Sequence, residues 1–461
     1  MKALSKLKLY IPLTVLFNSL FSCDSFIEVG LPKSQLTTEA VFEDYNTAEA
    51  ALLNIYSGIR DRGILTGTGQ GISNLLGNYA DELVSSESPT NSSLNFYKNS
   101  LMTTNTAVSG FWTVSYNQIY AANAILEGTH KSDKMTIEQK KQLQGECYFI
   151  RALLHFYLSE LFGSIPYITD TDFRKNSKAT RMPLPLIYEN IEADLQKALT
   201  MIPSQYLEQE RVRPNAAAVQ ALLARIYLYN KAYGEASNAA SAVLNQNQLY
   251  ILETLNTAFL ISSKETIWQL HAGTAGRNTS EASYFTFTAI PPPQVYLSGT
   301  LLSSFDAADL RRTAWIKAVT KNSATFYHAF KYKENNATAV SKEYSIVFRL
   351  AEQFLIRAES RAYQGDLIGA KEDLNKVRNR AGLTNTGAVS QQEIIEAVVH
   401  ERRHELFTEQ GHRFFDLKRT GKLDNVLGPI KMAWNTTNIL LPIPQSELAT
   451  NPNLLPQNPG Y

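Results

Sequence analysis

Two histidines and a glutamate near residue 400 have the spacing found in zinc-dependent hydrolases. His400, Glu401 and His404 fit the pattern H-E-x-x-H within residues 398–419, whose sequence is VVHERRHELFTEQGHRFFDLKR. On a helix, two imidazoles one turn apart can bind zinc while the glutamate activates a water molecule. The same residues can instead belong to a charged amphipathic helix with a structural role. Only the surrounding sequence can distinguish these two interpretations.

The segment lacks the further ligands that zinc hydrolases of this type use. A thermolysin-like site takes a third ligand, commonly a glutamate on a following helix, but Glu405, Glu409 and Asp416 follow too closely in sequence. The metzincin extension requires a glycine and a histidine at the two positions that are Phe407 and Gln410 here. Zinc hydrolysis is therefore the weaker interpretation.

The structural interpretation also accounts for the other residues of the segment. Its apolar residues fall on one helical face and are Ile394, Ile395, Val398, Val399 and Leu406. Its arginines can pair with nearby carboxylates or with the carbonyl ends of neighbouring helices. Gly411 is expected to stop the helix. We therefore predict a packed helix with no catalytic role, and no metal ion or cofactor.

The remaining sequence offers no clear catalytic alternative. It contains no P-loop, no G-x-G-x-x-G after a strand and no G-x-S-x-G. Asp81 and Glu82 are a conceivable glycosidase pair, but adjacent loop residues usually point apart, so solvation is the expected role. The formal net charge of +1 argues against nucleic acid or an anionic membrane as the main partner.

The N-terminus has the features of a bacterial lipoprotein signal. Lysines precede an apolar run over residues 9–20, which is too short to span a bilayer and ends in the sequence LFSC. Removal of residues 1–22 would leave Cys23 as a lipidated N-terminus. The alternative is an ordinary signal peptide followed by an incidental cysteine. Cys147 then has no disulfide partner and is expected to be a small buried thiol.

Helical periodicity accounts for most of the rest of the chain. Residues 221–244 and 354–377 each match a tetratricopeptide repeat, with small residues where two short antiparallel helices approach closely. A weaker third pair combines residues 151–162 with the helix near 191–198. The first pair combines residues 38–60 with the helix at 111–127. The sequence therefore predicts an all-α fold of four tetratricopeptide-like helix pairs.

The segments between these helices lack the repeat pattern. They are aromatic, rich in Ser, Thr, Asn and Pro, and long enough to be functional. We predict one domain over residues 23–461. Its repeat scaffold is expected at about 38–60, 111–244 and 346–420, and its irregular ligand-binding region at about 61–110 and 245–345. Residues 421–461 are expected to form an extended tail.

Several motifs together resemble those of SusD/RagB-type outer-membrane lipoproteins of Bacteroidetes. They are the lipobox at Cys23, WTVSYNQIYAANAIL, GECYFIRALLHFYLSELFGSIP, RLAEQFLIRAES, ERRHELFTEQGHRFFDLKR and the tail LPIP…NP…QNPGY. The resemblance spans essentially the whole chain, and the C-terminal motifs are its most specific part. Asp24 and Glu28 are a sparse match to the acidic surface-export signal of such lipoproteins.

The resemblance implies a fold and a function. The fold is four tetratricopeptide-like helix pairs with an irregular ligand-binding region. The function is that of a lipid-anchored, surface-exposed lid on a SusC-like TonB-dependent transporter in the outer membrane. Such proteins capture glycan fragments, sometimes peptides, and pass them to the transporter without catalysis.

The best candidates for ligand contact are aromatic residues outside the periodic helices. Sugar rings present apolar C–H faces flanked by hydroxyls, so a capture site needs aromatic platforms beside polar groups. The first candidate set is Tyr79, Phe96 and Tyr97 with Asn78, Asp81 and Asn95. The second candidate set is Tyr284, Phe285, Phe287 and Tyr296. The alternative is that these residues fill small satellite cores.

Two other classes of function stay open at this point. A pure protein-interaction scaffold would lack an exposed aromatic cluster away from the repeats. A metalloprotease would bring His400 and His404 together in an open cleft. Within the resembled family, a peptide is the alternative ligand to an oligosaccharide.

Overall fold

Long helices that pack side by side form the scaffold in the computed structural model, which describes residues 41–88 and 91–461. In chain order, the α-helices of these residues are α1 (Tyr45–Arg62), α2 (Ile72–Tyr79), α3 (Leu94–Tyr97), α4 (Thr106–Lys131), α5 (Ile137–Phe162), α6 (Phe173–Asn176), α7 (Leu184–Met201), α8 (Ala216–Tyr229), α9 (Tyr233–Leu244), α10 (Ser280–Phe285), α11 (Gly299–Leu302), α12 (Arg311–Ala314), α13 (Leu350–Tyr363), α14 (Leu367–Arg380), α15 (Gln391–Glu405), α16 (His412–Arg419), α17 (Leu423–Leu427) and α18 (Gln445–Thr450). The strands are β1 (Leu83–Ser85), β2 (Thr266–Leu270), β3 (Val295–Leu297), β4 (Ile316–Lys321), β5 (Ala324–Ala329) and β6 (Ser345–Arg349).

The prediction of four helix pairs is confirmed. The pairs are α1 with α4, α5 with α7, α8 with α9, and α13 with α14. Successive pairs also contact each other. Helix α9 packs against α13, and α15 packs against α13 as well. In the last repeat the alanines at 351, 358, 362 and 370 are fully buried, as expected where helices approach closely.

The helix ends follow from local capping. Thr136 and Gln139 form a reciprocal capping box at the start of α5, and Gly163 ends this helix with φ +75°. The turn between α8 and α9 contains Lys231 at φ +61°, and the turn between α13 and α14 contains Gly365 at φ +85°. These positive φ angles reverse the chain within a few residues, which lets each pair pack closely.

The prediction that Gly411 stops the long C-terminal helix is wrong. α15 ends at Glu405, and the chain turns through Thr408 and Gln410, whose φ angles are +55° and +44°. Gly411 instead precedes α16, with φ +69°. A Cβ atom on this glycine would lie 2.6 Å from Cδ1 of Leu76, so the tight turn also requires the missing side chain.

Three two-stranded antiparallel sheets are present in the irregular region of the described chain. β1 pairs with β3, β2 with β6, and β4 with β5. Their inward residues join a hydrophobic core that includes Leu83, Val295, Trp315 and Phe407. Phe407 belongs to the turn after α15, so this core joins the irregular region to the scaffold.

The C-terminal tail differs from the predicted extended segment. Short helices, α17 and α18 and two 3-10 turns at Thr436–Ile439 and Pro452–Leu454, alternate with extended backbone. Near the end of the chain, the Asn458 side-chain amide donates to the carbonyls of Phe162 and Leu441 at 2.9 and 2.7 Å. The motif QNPGY therefore ties the tail to the end of α5.

Candidate ligand-binding face

The two histidines of the H-E-x-x-H pattern differ in environment, since His404 is buried and His400 is exposed. The ring centroids of His400 and His404 lie 4.3 Å apart in an edge-to-face arrangement. The His404 Nε2 atom lies 2.9 Å from the Ser304 hydroxyl, and its ring packs against Phe305. Burial, His400 and nearby arginines lower the pKa of His404 to about 2, so this imidazole is neutral.

The glutamate of the pattern forms ion pairs with two arginines. The Glu401 carboxylate forms ion pairs with Arg311 at 2.7 Å and with Arg378 at 3.2 Å. Within residues 41–88 and 91–461, no group of three or more His, Cys, Asp or Glu side chains is arranged to hold a metal ion. The geometry thus favours the structural interpretation of this segment.

Two arginines, Arg403 in α15 and Arg413 in α16, bind an aspartate from the first irregular segment. Arg413 donates from Nε and Nη2 to the two oxygens of Asp81, at 2.7 and 2.9 Å, and Arg403 donates to the same carboxylate at 2.7 Å. Burial would raise the pKa of Asp81, but its bonds to Arg413 and the charges of both arginines lower it overall. Asp81 is therefore an ionised structural anchor.

Most of the predicted contact residues are buried. The side chains with almost no exposed surface are those of Asn78, Tyr79, Asp81, Phe96, Phe285 and Phe287. The Tyr79 ring packs edge-to-face against Phe96, Phe414 and Trp434, with centroids 5.4 to 6.0 Å away. The expectation that these six residues contact ligand is corrected. The four aromatic rings fill satellite cores, which was the alternative interpretation, and Asn78 and Asp81 are bonded to other parts of the protein.

The reasons for burial differ between the members of this group. Asn78 donates to the backbone and side-chain oxygens of Asn74 at 3.0 and 2.7 Å. Phe285 belongs to the core of the irregular region, and Phe287 packs its ring against His328. None of these contacts leaves an aromatic face for a sugar.

Tyr284 is half-buried and holds a glycine-rich loop in place. Its hydroxyl accepts from the Asn74 amide at 3.0 Å and donates to Glu87 at 3.1 Å. A Cβ atom on Gly69 would lie 2.4 Å from the Tyr284 ring, so the ring lies directly on the loop backbone. Tyr284 therefore has a structural role at this loop.

Tyr97 and Tyr296 come together from distant parts of the sequence. Both rings are half-exposed. Burial raises the pKa of Tyr296, and the neighbouring Tyr97 raises it further. The Tyr296 ring contacts Phe326 edge-on with centroids 5.0 Å apart. The Lys431 ammonium lies 4.2 Å from the Tyr97 ring centroid. We define the ligand face as Asn95, Tyr97, Tyr296, Phe326 and Lys431.

Local strand geometry explains the exposure of the aromatic rings. In β3, Val295 and Leu297 point into the core while Tyr296 points outward, as the alternation of side chains along a strand requires. β4 and β5 form a hairpin whose turn residues, Asn322 and Ser323, both have positive φ. The hairpin packs against β3 and places Phe326 beside Tyr296.

Sequence reasoning missed Phe326 and Lys431. Phe326 lies in the alternating segment ATFYHA, and an Asn-Ser turn between two alternating runs was the available signal. Lys431 has no local signal, because it reaches the face only through its bonds to the carbonyls of Asn78 at 2.7 Å and Tyr97 at 3.0 Å.

Two open grooves lie away from the ligand face. One, of about 540 Å³, is lined by residues including Glu253, Asn256 and Arg380. The other, of about 280 Å³, is lined by residues including Arg60 and His271. Neither groove has an aromatic platform exposed in its wall, so the aromatic face remains the better candidate for sugar binding.

The helix pairs and the irregular region define a helical-repeat binding protein, and comparisons with known proteins give its family. Residues 32–228 match a family model described as starch-binding and associating with the outer membrane, and residues 308–461 match the SusD family model. The two matches together span most of the chain. The chain therefore belongs to the SusD family.

Relatives and solved structures agree with this assignment. SusD-like protein P25 from Formosa agariphila is 26% identical, and the match covers 96% of this chain and 97% of that protein. A SusD superfamily structure from Bacteroides vulgatus is similar with a TM-score of 0.79 at 20% identity, covering 91% and 99% of the two chains. A structure described as a laminarin binding SusD-like protein has a TM-score of 0.75 at 23% identity, covering 90% and 99%. The structural matches show a shared fold.

The expected lipidation site, Cys23, lies outside the described residues, so its modification stays a prediction. Within residues 41–88 and 91–461, no helix combines the length and hydropathy needed to cross a membrane. Cys147 is buried in α5, as predicted, and burial raises the pKa of its thiol.

Proposed function

We propose that this protein is a non-catalytic oligosaccharide-capture lipoprotein of the outer-membrane surface. It is anchored through Cys23 and delivers its ligand to a SusC-like TonB-dependent transporter. The observation that carries the proposal is the ligand face, where half-exposed aromatic rings from separate segments meet outside the helix pairs. The family, whose first matching model is described as starch-binding, supports the same ligand class.

The chemistry of the face suits a sugar. Tyr97 and Tyr296 provide ring surfaces for apolar C–H groups, and their hydroxyls can exchange hydrogen bonds with sugar hydroxyls. The Asn95 side chain, two residues before Tyr97 in sequence, is partly exposed and carries an amide. An open face of this kind favours capture and release over tight enclosure, which suits transfer to a transporter.

A pure protein-interaction scaffold is the main competing function. Its helix pairs would bind a protein partner, and the aromatic face would have no role. In our proposal both surfaces are used, since the helix pairs meet the transporter and the irregular region meets the nutrient. A peptide ligand is the alternative within the family, and the aromatic rings alone do not distinguish it from a sugar.

The test removes both platforms and measures ligand binding. Affinity electrophoresis against soluble polysaccharides first identifies a ligand, and calorimetry with its oligosaccharides then compares the intact protein with the double variant Tyr97→Ala/Tyr296→Ala. We expect affinity to fall at least about tenfold, because each lost aromatic contact is worth about 0.5–1.5 kcal/mol beyond its buried area.

A matched control is available on the scaffold. Tyr120 on α4 is 53% exposed, so Tyr120→Ala removes a tyrosine away from the ligand face and should leave affinity unchanged. Unaltered affinity of a folded double variant would exclude this face as the binding site. Binding of peptide mixtures and of no polysaccharide would replace the oligosaccharide with a peptide ligand.

A further inference from the structure

The elements that carry the ligand face also carry lysines without acidic partners. Lys98, Lys317, Lys321 and Lys431 have no carboxylate of the described residues within 4.0 Å, the limit for an ion pair. Several buried arginines elsewhere in the described chain are paired with carboxylates, as Arg225 is with Glu352 at 2.6 Å. Lys98, Lys317 and Lys321 are exposed, whereas Lys431 is partly buried, so water compensates the charge of Lys431 least.

Lys431 is the central member of this group. Its ammonium donates to the carbonyls of Asn78 and Tyr97 and lies over the Tyr97 ring. An ammonium has three N–H donors, so these two bonds leave one for another acceptor. Burial lowers the pKa of Lys431 to about 8, and Asp81 raises it only in part. Asp81 itself is already bound by Arg413 and Arg403.

The other lysines belong to the two elements that carry the aromatic rings. Lys98 follows Tyr97 directly and is exposed. In the hairpin, Val319 pairs with Phe326, and Lys317 and Lys321 lie two residues to either side of Val319. Because side chains alternate along a strand, both lysines belong to the same hairpin face as Phe326. Lysines therefore lie both next to Tyr97 in sequence and on the hairpin face of Phe326, although the Lys317 ammonium itself lies 4.9 Å from the Phe330 ring centroid.

We propose that the ligand of this face is an acidic oligosaccharide, whose carboxylate or sulfate group pairs with Lys431 while its sugar rings stack on Tyr97 and Tyr296. This inference rests on the proposed function, because it names the class of glycan that the face captures. An anion at Lys431 compensates a half-buried ammonium that the protein itself leaves without a carboxylate. The outer lysines steer the charged ligand towards the platforms.

The test compares acidic and neutral oligosaccharides on the intact protein. The probes are polygalacturonate oligosaccharides for carboxylates, sulfated galactan oligosaccharides for sulfate esters and laminarin oligosaccharides as neutral sugars. Calorimetry at low and high NaCl gives the affinity of each. We expect at least one acidic probe to bind about tenfold more tightly than the neutral probe at low salt, and this preference to shrink at high salt.

Substitutions of single lysines distinguish the effect of losing a positive charge from an effect on folding. Lys431→Met keeps an unbranched apolar stem and should lower acidic-probe affinity about tenfold more than it lowers neutral-probe affinity. Lys98→Met, at an exposed position, should give a smaller loss of the same kind. Lys376→Met on the exposed surface of α14 is the matched control and should change neither affinity. If Lys431→Met does not fold, Lys98→Met decides the test.

The outcomes distinguish recognition of an acidic ligand from oligosaccharide capture in general. Neutral and acidic probes binding equally well, with binding lost in Tyr97→Ala/Tyr296→Ala, would overturn the acidic ligand and leave oligosaccharide capture standing. An equal loss of both affinities in Lys431→Met and no effect of Lys98→Met would also overturn it, since Lys431 would then act only on the fold. Binding of no oligosaccharide of either class would overturn both proposals. The carboxylate and sulfate arms show which acidic group is recognised.

Discussion

Arg413 donates two hydrogen bonds to Asp81, from Nε to Oδ1 at 2.7 Å and from Nη2 to Oδ2 at 2.9 Å. The two residues are 332 positions apart in the sequence. Asp81 lies just before β1, and β1 pairs with the strand that carries Tyr296. Asn78, three residues before Asp81, receives a hydrogen bond from Lys431. The ion pair therefore connects the C-terminal helices of the scaffold to the elements that position the ligand face.

Arg413→Ala should destabilise the protein strongly. It leaves the buried Asp81 with Arg403 as its remaining partner, and breaking a buried ion pair from one side typically costs about 3–5 kcal/mol. We expect the free energy of unfolding to fall by about 3 kcal/mol in denaturant titrations. Arg413→Lys retains the charge but cannot make the two-pronged contact, so it should lose less. Stability equal to that of the unmutated protein would refute an anchoring role.

Glu82, next to that anchor, should make stability depend on pH. Burial and then Asp81 raise the pKa of Glu82 to about 7 from its usual 4.5. Because the folded-state pKa is raised, the favourable contribution of protonated Glu82 is complete below about pH 4.5 and is lost as pH rises through 7. Glu82→Gln removes this titration and still accepts a hydrogen bond from the Thr408 amide.

The measurement is the unfolding free energy of both proteins at pH 5 and pH 8. The stability of Glu82→Gln relative to the unmutated protein should increase between these two values by about 2–3 kcal/mol. Glu372→Gln, at an exposed position of α14, is the control and should show no such trend. A difference independent of pH would mean that Glu82 is charged in the folded protein at both values.

Phe96→Ala should mainly lower stability and Tyr97→Ala should mainly lower ligand affinity, although the two residues are adjacent. Phe96 is fully buried between Tyr79 and Phe111, so its truncation should cost about 3–5 kcal/mol of stability. Tyr97 is half-exposed, so its truncation should weaken ligand affinity with a smaller effect on stability. Thermal unfolding and calorimetry on both variants check this. Equal losses of stability would contradict the assigned exposure.

Phe96 and Tyr97 also show what the sequence could not predict, which is the exposure of each side chain. Periodicity located the helix pairs closely, since the pair predicted at residues 221–244 corresponds to α8 and α9, and α9 ends at Leu244. The exposure of Phe96 and Tyr97 was not predictable, since both occur in one polar segment that folds into the single-turn helix α3. Which side of that turn faces the core depends on Phe111 and Tyr79, and sequence alone does not place them.

The ligand face was beyond prediction for a related reason. Tyr97 and Tyr296 were both named as candidates from their composition, but nothing local relates one to the other. Their proximity depends on the pairing of β1 with β3, and Lys431 reaches Tyr97 from 334 residues away. Local patterns therefore predict the scaffold, while tertiary contacts determine the site.

Removal of metal ions should leave the protein unchanged, and His404→Ala should affect stability alone. His404 is buried against Phe305 and lies 2.9 Å from the Ser304 hydroxyl, so its loss should cost about 1–3 kcal/mol, chiefly by leaving a cavity. Treatment with a chelator should not shift the thermal unfolding midpoint, because Glu401 is bound by Arg311 and Arg378. Hydrolysis of a peptide substrate that requires zinc and disappears in His404→Ala would reverse this assignment and restore the H-E-x-x-H segment as a catalytic site.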